Sequence, residues 1–313
     1  MPDGRFAPSP TGPLHLGNLR TALLAWLFAR SDGSRFLLRI EDLDAAAARA
    51  DHEASAIADL AALGLHHDGP LLHQAPRRAV HDATVDRLVA EGLTYPCYCT
   101  RREILAEVDA SVSAPHGPLP AGAYPGTCRD LTAGEQAARE AEGRRPALRL
   151  RAAGELVSFL DRVAGPVTGA VDDFVIRRAD GAPAYNLVVV VDDHDDGIGE
   201  VVRGDDLLHT TPRQILVARL LGSPVPAHAH VPLVLGPDGR RLAKRHGSVT
   251  LTDQQALGRT PSEVLSWFGA SLDLCEVGEP VTPEVLLTRF DPASLSRDPW
   301  ALPPELLAPA SSA

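Results

Sequence analysis

The 313-residue chain predicts an α/β fold built on an interrupted parallel sheet, on three observations. A short strand, a Pro/Gly-rich loop and a helix-patterned stretch follow one another at the N-terminus, which makes one βα unit. Two later apolar runs, residues 184–191 and 231–235, read as strands buried on both faces, as central parallel strands are. Between these halves lies a stretch with three cysteines and many Pro, Gly and Ala residues, which breaks the rhythm and reads as an inserted module.

Taken in order, residues 5–8 form the first strand, and Ser9-Pro10-Thr11-Gly12-Pro13 ends it and opens a loop. Apolar residues then recur at helical spacing over 16–29, including Leu19, Leu23, Trp26 and Leu27. Residues 36–40 form a second strand that ends in Glu41-Asp42, with helices at about 51–63 and 76–91. The module begins near Tyr95 and holds Cys97, Cys99 and Cys128, with its Pro/Gly/Ala-rich part at 113–126. Short strands, expected to be antiparallel, follow at 148–151, 157–160 and 174–177. The run 184–191 ends in Asp192-Asp193; a helix at 212–221 and the strand 231–235 lead into a basic loop. After Val249 the chain reads as short helices with frequent prolines, and the Pro/Ala/Ser-rich stretch 300–313 is expected to be frayed.

Hydrophobic residues make up 44 % of the chain, a globular composition. No apolar run reaches membrane-spanning length and no signal peptide is visible, so a cytoplasmic location is expected, with thiols or metal ligands in place of disulfides. The net charge of −11 argues against a protein that coats nucleic acid non-specifically. Two local basic clusters remain: Arg144, Arg145, Arg149 and Arg151, and Arg240, Arg241, Lys244 and Arg245.

Lys244 is the single lysine among 30 cationic residues. A chain that uses arginine for every generic positive charge keeps lysine where a compact, mobile point charge is needed, such as against one phosphate oxygen. At the other end of the chain, Leu14-His15-Leu16-Gly17-Asn18 opens the first helix. A helix N-terminus presents free amide donors to phosphate, Gly17 lets a flat base approach the backbone, and His15 can donate to a phosphate oxygen.

His15-Leu16-Gly17-Asn18 resembles the HIGH signature of class I aminoacyl-tRNA synthetases, and Arg241-Leu242-Ala243-Lys244-Arg245 stands in the place of their KMSKS loop. Arg5-Phe6-Ala7-Pro8-Ser9-Pro10-Thr11-Gly12, Arg39-Ile40-Glu41-Asp42, Tyr185-Asn186-Leu187, Asp192-Asp193-His194 and Val202-Arg203-Gly204-Asp205-Asp206-Leu207 resemble the glutamyl branch, in collinear order over about residues 5–250. Asn18 replaces the last histidine of the first signature, and the first lysine and the serines of the second are replaced, with Arg241 keeping the first charge.

The resemblance implies a Rossmann-like class I synthetase sheet with an inserted zinc-containing, acceptor-type module and a short helical C-terminal segment. The corresponding division is 1–92, first half of the nucleotide-binding domain; 93–183, the insert; 184–250, second half with the KMSKS-like loop; and 251–313, the C-terminal segment. It implies activation of L-glutamate by ATP, with Mg2+ sharing the phosphate charge. In that reaction a carboxylate attacks the α-phosphorus, so catalysis is positioning and electrostatic stabilisation. His15 and Lys244 are the catalytic candidates; Gly17 and Asn18 join them in binding ATP. Glutamate contacts fall on Arg5, Phe6, Ala7, Pro8, Ser9, Glu41, Tyr185 and Arg203. Glu41 suits the ammonium, and the guanidinium forks of Arg5 and Arg203 suit the side-chain carboxylate.

Cys97, Cys99 and Cys128 supply three thiolates for a closed, structural Zn2+ site that wants a fourth ligand. His116 is the chemically obvious candidate within the loop, while the resemblance favours Tyr124, and both stay open. The region after Val249 is short for an anticodon-reading domain. The chain is therefore similar to the truncated glutamyl branch, which transfers glutamate to queuosine at the wobble position of tRNA(Asp). A monomer is expected, and the basic residues Arg144, Arg145, Arg177 and Arg178 of the insert are candidates for contact with RNA phosphates. The competing readings are a truncated enzyme charging the 3′ end of tRNA(Glu), an inactive RNA-binding paralogue, and a small-molecule nucleotidyltransferase.

Overall fold

The computed structural model describes residues 3–44, 46–111, 123–243, 246–247 and 249–307, the side chains of 108–111 excepted. Lys244, Arg245 and His116 lie outside the described residues. The first unit is β1 (Asp3–Phe6), α1 (Leu16–Ser31) and β2 (Phe36–Ile40), followed by α2 (Ala50–Ala62), β3 (Leu72–His73) and α3 (Arg78–Ala90). The insert region holds β4 (Thr94–Cys97), α4 (Arg101–Ser111), α5 (Ala133–Ala141), β5 (Ala147–Leu150), the hairpin β6 (Glu155–Asp161) and β7 (Gly165–Val171), and β8 (Val175–Arg177). The second half runs through α6 (Tyr185–Asp195), β9 (Ile198–Gly204), α7 (Thr211–Leu221), β10 (Ala227–Val231) and β11 (Val234–Leu235). Last come α8 (Leu251–Ala256), α9 (Pro261–Ala270), α10 (Pro283–Arg289) and β12 (Trp300–Ala301).

The main sheet has the order β3-β2-β1-β9-β10-β6-β7, parallel except for the final hairpin. The chain winds outward from β1 to β2 on one side and from β9 to β10 on the other. The C-terminal ends of β1 and β9 thus flank a topological switch point, where doubly wound sheets leave a crevice for ligands. Helix α1 packs against β1 and β9 from one side and against α10 from the other. It is enclosed almost all round, with Leu16, Leu19, Leu23, Leu27 and Phe28 at 0 % exposure, which explains why its pattern is apolar on every face. A smaller antiparallel sheet, β4-β5-β8, carries Cys97 at the end of β4.

Three expectations are corrected. Residues 184–191 are not a strand: they lie in α6, Tyr185–Asp195. A valine-rich run this short reads either way by periodicity. What decides is the polar end of the run. On a strand Asp192 and Asp193 would point to opposite faces, whereas on one helix turn Asp192, Asp193 and Asp196 gather towards Arg39, Arg77 and His81. The strand that belongs beside β1 is β9, carrying Val202 and Arg203.

The second correction concerns residues 231–235. Pro232 interrupts the run, so β10 ends at Val231 and a separate short strand, β11, pairs with β12. The third follows from that pairing: residues 300–307 are not frayed. Leu302 and Leu306 are buried, and Trp300 lies under the Arg20 guanidinium, 5.7 Å from the ring centroid. Of the antiparallel strands expected in the insert, β5 and β8 pair with each other, while β6 pairs with β7 and joins the edge of the main sheet beside β10.

Candidate active site

A cavity of about 530 Å3 opens at the C-terminal ends of β1, β2 and β9 and against the tip of α1. Phe6, Ala7, Pro8 and Ser9 line it from the loop after β1, Glu41 from the end of β2, Arg203 from β9, and Tyr185 from the first turn of α6. His15, Gly17 and Asn18 line its opposite wall. A smaller pocket of about 80 Å3 is bounded by Arg5, Glu41, Tyr185 and Arg203 and shares lining residues with the larger one. The described glutamate and ATP candidates, distant in sequence, therefore surround one space.

The helix tip is tightly built. His15 caps α1: its Nδ1 accepts from Asn18 N–H (3.2 Å), and Asn18 Oδ1 accepts from His15 N–H (3.1 Å). With Nδ1 accepting, a neutral ring carries its proton on Nε2, where it is a donor. Burial, helped by Arg241, lowers the His15 pKa to about 4, so the ring is neutral at physiological pH. A Cβ on Gly17 would lie 3.0 Å from the His15 ring and 3.3 Å from Val234, so glycine lets the ring fold over the helix start. The segment after the basic loop returns to the same point, with Leu16 N–H donating to Val249 O at 2.7 Å.

Arg5 is less available than its sequence position suggested. Its Nε and NH2 donate to Asp193 Oδ1 and Oδ2, both at 3.1 Å. Arg39, fully buried, donates to the same carboxylate at 2.6 Å and to Asp196 at 2.9 Å. Burial would push Asp193 up, but the two guanidinium groups overcome this and hold it at about 2. Glu41 has the opposite balance: burial raises its pKa, and Arg39 at 3.8 Å and Arg5 compensate only partly. A ligand cation beside Glu41 would supply the missing positive charge.

Arg203 is 6 % exposed and forms no ion pair with a carboxylate among the described residues. Its donors meet neutral acceptors: His230 Nε2 at 3.1 Å, Thr211 Oγ1 at 2.8 Å and Tyr185 OH at 3.4 Å. A buried cation without a counter-ion beside an open cavity is a site for an anion. His230 and Thr211 were not singled out by sequence reasoning. The only signal for them was the alternation of His228 and His230 in β10.

Around the basic loop, Arg241 pairs with Asp206 across the cavity mouth. His246 accepts from Ala243 N–H at 3.0 Å and meets Asp238 Oδ1 at 3.0 Å, with its ring over Gly236, where a Cβ would lie 2.6 Å from it.

A second constellation lies in the insert. The Cys97, Cys99 and Cys128 sulfurs lie within 4.8 Å of one another. Tyr124 OH sits 3.4 Å from Cys97 Sγ and 3.7 Å from Cys99 Sγ and accepts from Cys128 N–H at 2.8 Å. The Arg149 guanidinium stacks on the Tyr124 ring at 3.6 Å. Three thiols gathered this closely could hold one metal ion, with the Tyr124 hydroxyl beside them.

The arginines considered for RNA are already partnered in part: Arg144 with Glu103 (3.0 Å), Arg177 with Asp86 (2.8 Å) and Arg178 with Asp180 (2.5 Å). Such exposed pairs are weak and exchangeable. Among the described residues no helix is long and apolar enough to cross a membrane.

A parallel sheet with a cavity at the switch point, a histidine-capped helix tip and Arg241 at the cavity mouth fit a class I synthetase catalytic domain. Residues 3–269 match the family described as tRNA synthetases class I (E and Q), catalytic domain, and the chain belongs to this family of ligases. Within it, the chain is 58 % identical over 96 % of its length to the Glutamyl-Q tRNA(Asp) synthetase of Nocardia farcinica, covering 92 % of that protein. It is 51 % identical to the protein of the same name from Symbiobacterium thermophilum, covering 97 % of both. Among solved structures, a glutamate tRNA ligase from Elizabethkingia meningosepticum, in complex with its amino acid, superposes with a TM-score of 0.78 at 26 % identity over 97 % of this chain and 67 % of that one.

Proposed function

We propose that the chain activates L-glutamate with ATP, without tRNA, and transfers the glutamyl group to queuosine at the wobble position of tRNA(Asp). The observation that carries the first half is Arg203, a buried guanidinium with no ion pair among the described residues, in the cavity that also receives the tip of α1. Arg203 pairs with the side-chain carboxylate of glutamate, helped by the Tyr185 hydroxyl, and Glu41 takes the ammonium. Arg5, occupied by Asp193, sets the floor of the amino-acid pocket and adds positive potential.

The glutamate α-carboxylate attacks the α-phosphorus of ATP; a new C–O–P link forms and pyrophosphate leaves. His15 Nε2–H donates to a phosphate oxygen at the positive end of α1, and Lys244 brings a mobile charge to the leaving group. Mg2+ arrives with ATP and shares the phosphate charge. Neutral His15 suits this role, since it donates a hydrogen bond without a proton changing hands.

Transfer to tRNA(Asp) is favoured over tRNA(Glu) by the likeness, over nearly their full length, to two proteins named for tRNA(Asp). Cys97, Cys99, Cys128 and Tyr124 would hold a structural Zn2+ that fixes the fold of the insert, and Arg144, Arg145, Arg177 and Arg178 would meet RNA phosphates. The test is transfer of labelled glutamate to tRNA(Asp) with and without queuosine, beside tRNA(Glu). Label only on the queuosine-containing tRNA(Asp) is expected; label on the 3′ end of tRNA(Glu) would overturn the assignment.

A further inference from the structure

Behind Arg203 stands a buried chain of side chains that reaches no surface. Asp161, at the end of β6, is 1 % exposed and accepts from the backbone N–H of Val163 (2.9 Å) and Ala164 (2.8 Å). Its Oδ2 lies 2.6 Å from His230 Nδ1, and its carboxylate also takes the His230 backbone N–H at 3.1 Å. Asp161 stays ionised, so it can only accept, and the His230 proton sits on Nδ1. His230 Nε2 is thereby an obligate acceptor and faces Arg203 Nε–H at 3.1 Å. Thr211 completes the ring, with Oγ1 3.0 Å from His230 Nε2 and 2.8 Å from Arg203 NH2. The His228 ring stacks parallel on His230 at 6.0 Å and limits its tilt.

We propose that His230, oriented by Asp161, is the positioning residue that aims the Arg203 guanidinium at the substrate carboxylate and so sets the affinity for glutamate. This rests on the reading of the cavity as the glutamate site. A guanidinium has five N–H donors in a rigid fork. Fixing Nε and one NH2 hydrogen from behind leaves the remaining donors for the cavity in one orientation. A carboxylate in place of His230 would neutralise Arg203 and weaken its pull on the ligand. A neutral imidazole fixes the geometry and leaves the positive charge for the substrate. The hairpin β6–β7, peripheral in the sheet, thereby reaches the amino-acid pocket through a single aspartate.

Glutamate and ATP KM values from pyrophosphate exchange, together with thermal melting, test this in His230→Ala, His230→Gln, Thr211→Val and Arg203→Ala. Losing a hydrogen bond to a charged group in His230→Ala raises the glutamate KM about tenfold and leaves the ATP KM within about twofold. His230→Gln, whose amide oxygen can accept from Arg203, recovers most of that loss. A glutamate KM unchanged in a folded His230→Ala protein, or both KM values rising together, would overturn the positioning role. If His230→Ala does not fold, Thr211→Val decides: a rise of about threefold in glutamate KM alone supports the role, and no change overturns it. An Arg203→Ala protein with normal glutamate KM would sink the cavity reading itself, a different result from a normal His230→Ala beside an impaired Arg203→Ala.

Discussion

Arg5 and Asp193, at the end of β1 and within α6, form a two-point ion pair, and the same carboxylate receives Arg39 from β2. These contacts tie α6 to the neighbouring strands β1 and β2 beside the proposed amino-acid pocket. Asp193→Asn would leave two buried guanidinium groups short of charge and should cost about 3–5 kcal/mol of stability in urea unfolding. The pH dependence follows from the sign of the shift. The folded pKa of about 2 lies below the unfolded value. The contribution is therefore complete above about pH 4 and is lost as pH falls towards 2. The asparagine protein should lack that part of the acid limb; identical acid limbs would contradict the pairing.

Arg203→Ala should raise the glutamate KM by about 10- to 100-fold while the ATP KM stays nearly constant, the scale of losing a charged hydrogen-bond pair. Steady-state pyrophosphate exchange separates the two. An equal rise in both would place Arg203 outside the amino-acid subsite.

His15 is held neutral, with its pKa lowered to about 4 by burial and Arg241. Activation should therefore show no titration near pH 6.5 that disappears in His15→Ala. That variant should be slower at every pH from about 6 to 9, by about 10- to 100-fold, the size of one preorganised donor contact. A pH–rate limb near 6.5 lost with the histidine would mean that it works as an acid or base.

Cys99→Ser should release bound zinc and lower the melting temperature, with exchange kinetics affected only through the folded fraction. Metal content by mass spectrometry, alongside calorimetry, reads both. An apo protein with unchanged melting would remove the structural role of the cysteine cluster.

Most of the candidate site was legible in the sequence, because its residues sit on short contiguous segments at strand ends and at one helix start: residues 5–9, His15 to Asn18, Glu41 and Arg203 surround one cavity. The fold was less legible where a segment's environment is set by distant residues. Residues 184–191 have a strand-like composition, and the partners that favour the helix, buried Arg39 and partly exposed Arg77, lie more than a hundred positions away. Residues 300–307 look like a loose tail, yet they are held by Arg20 and by β11. Arg5 read as a free ligand because nothing local reveals that Asp193 already occupies it. His230 passed unnoticed for the same reason: its partner Asp161 lies 69 positions earlier, on a hairpin assigned to the insert.

The most direct measurement is ATP–pyrophosphate exchange with L-glutamate as the sole amino acid and no tRNA present. Exchange that requires glutamate, is not supported by glutamine or aspartate, and slows by about 10²–10³-fold in Lys244→Ala is the expected result. Exchange that is absent without tRNA, or that proceeds at the same rate without Lys244, would contradict a pocket in which a helix tip and a lone lysine hold the nucleotide beside an arginine-bound glutamate.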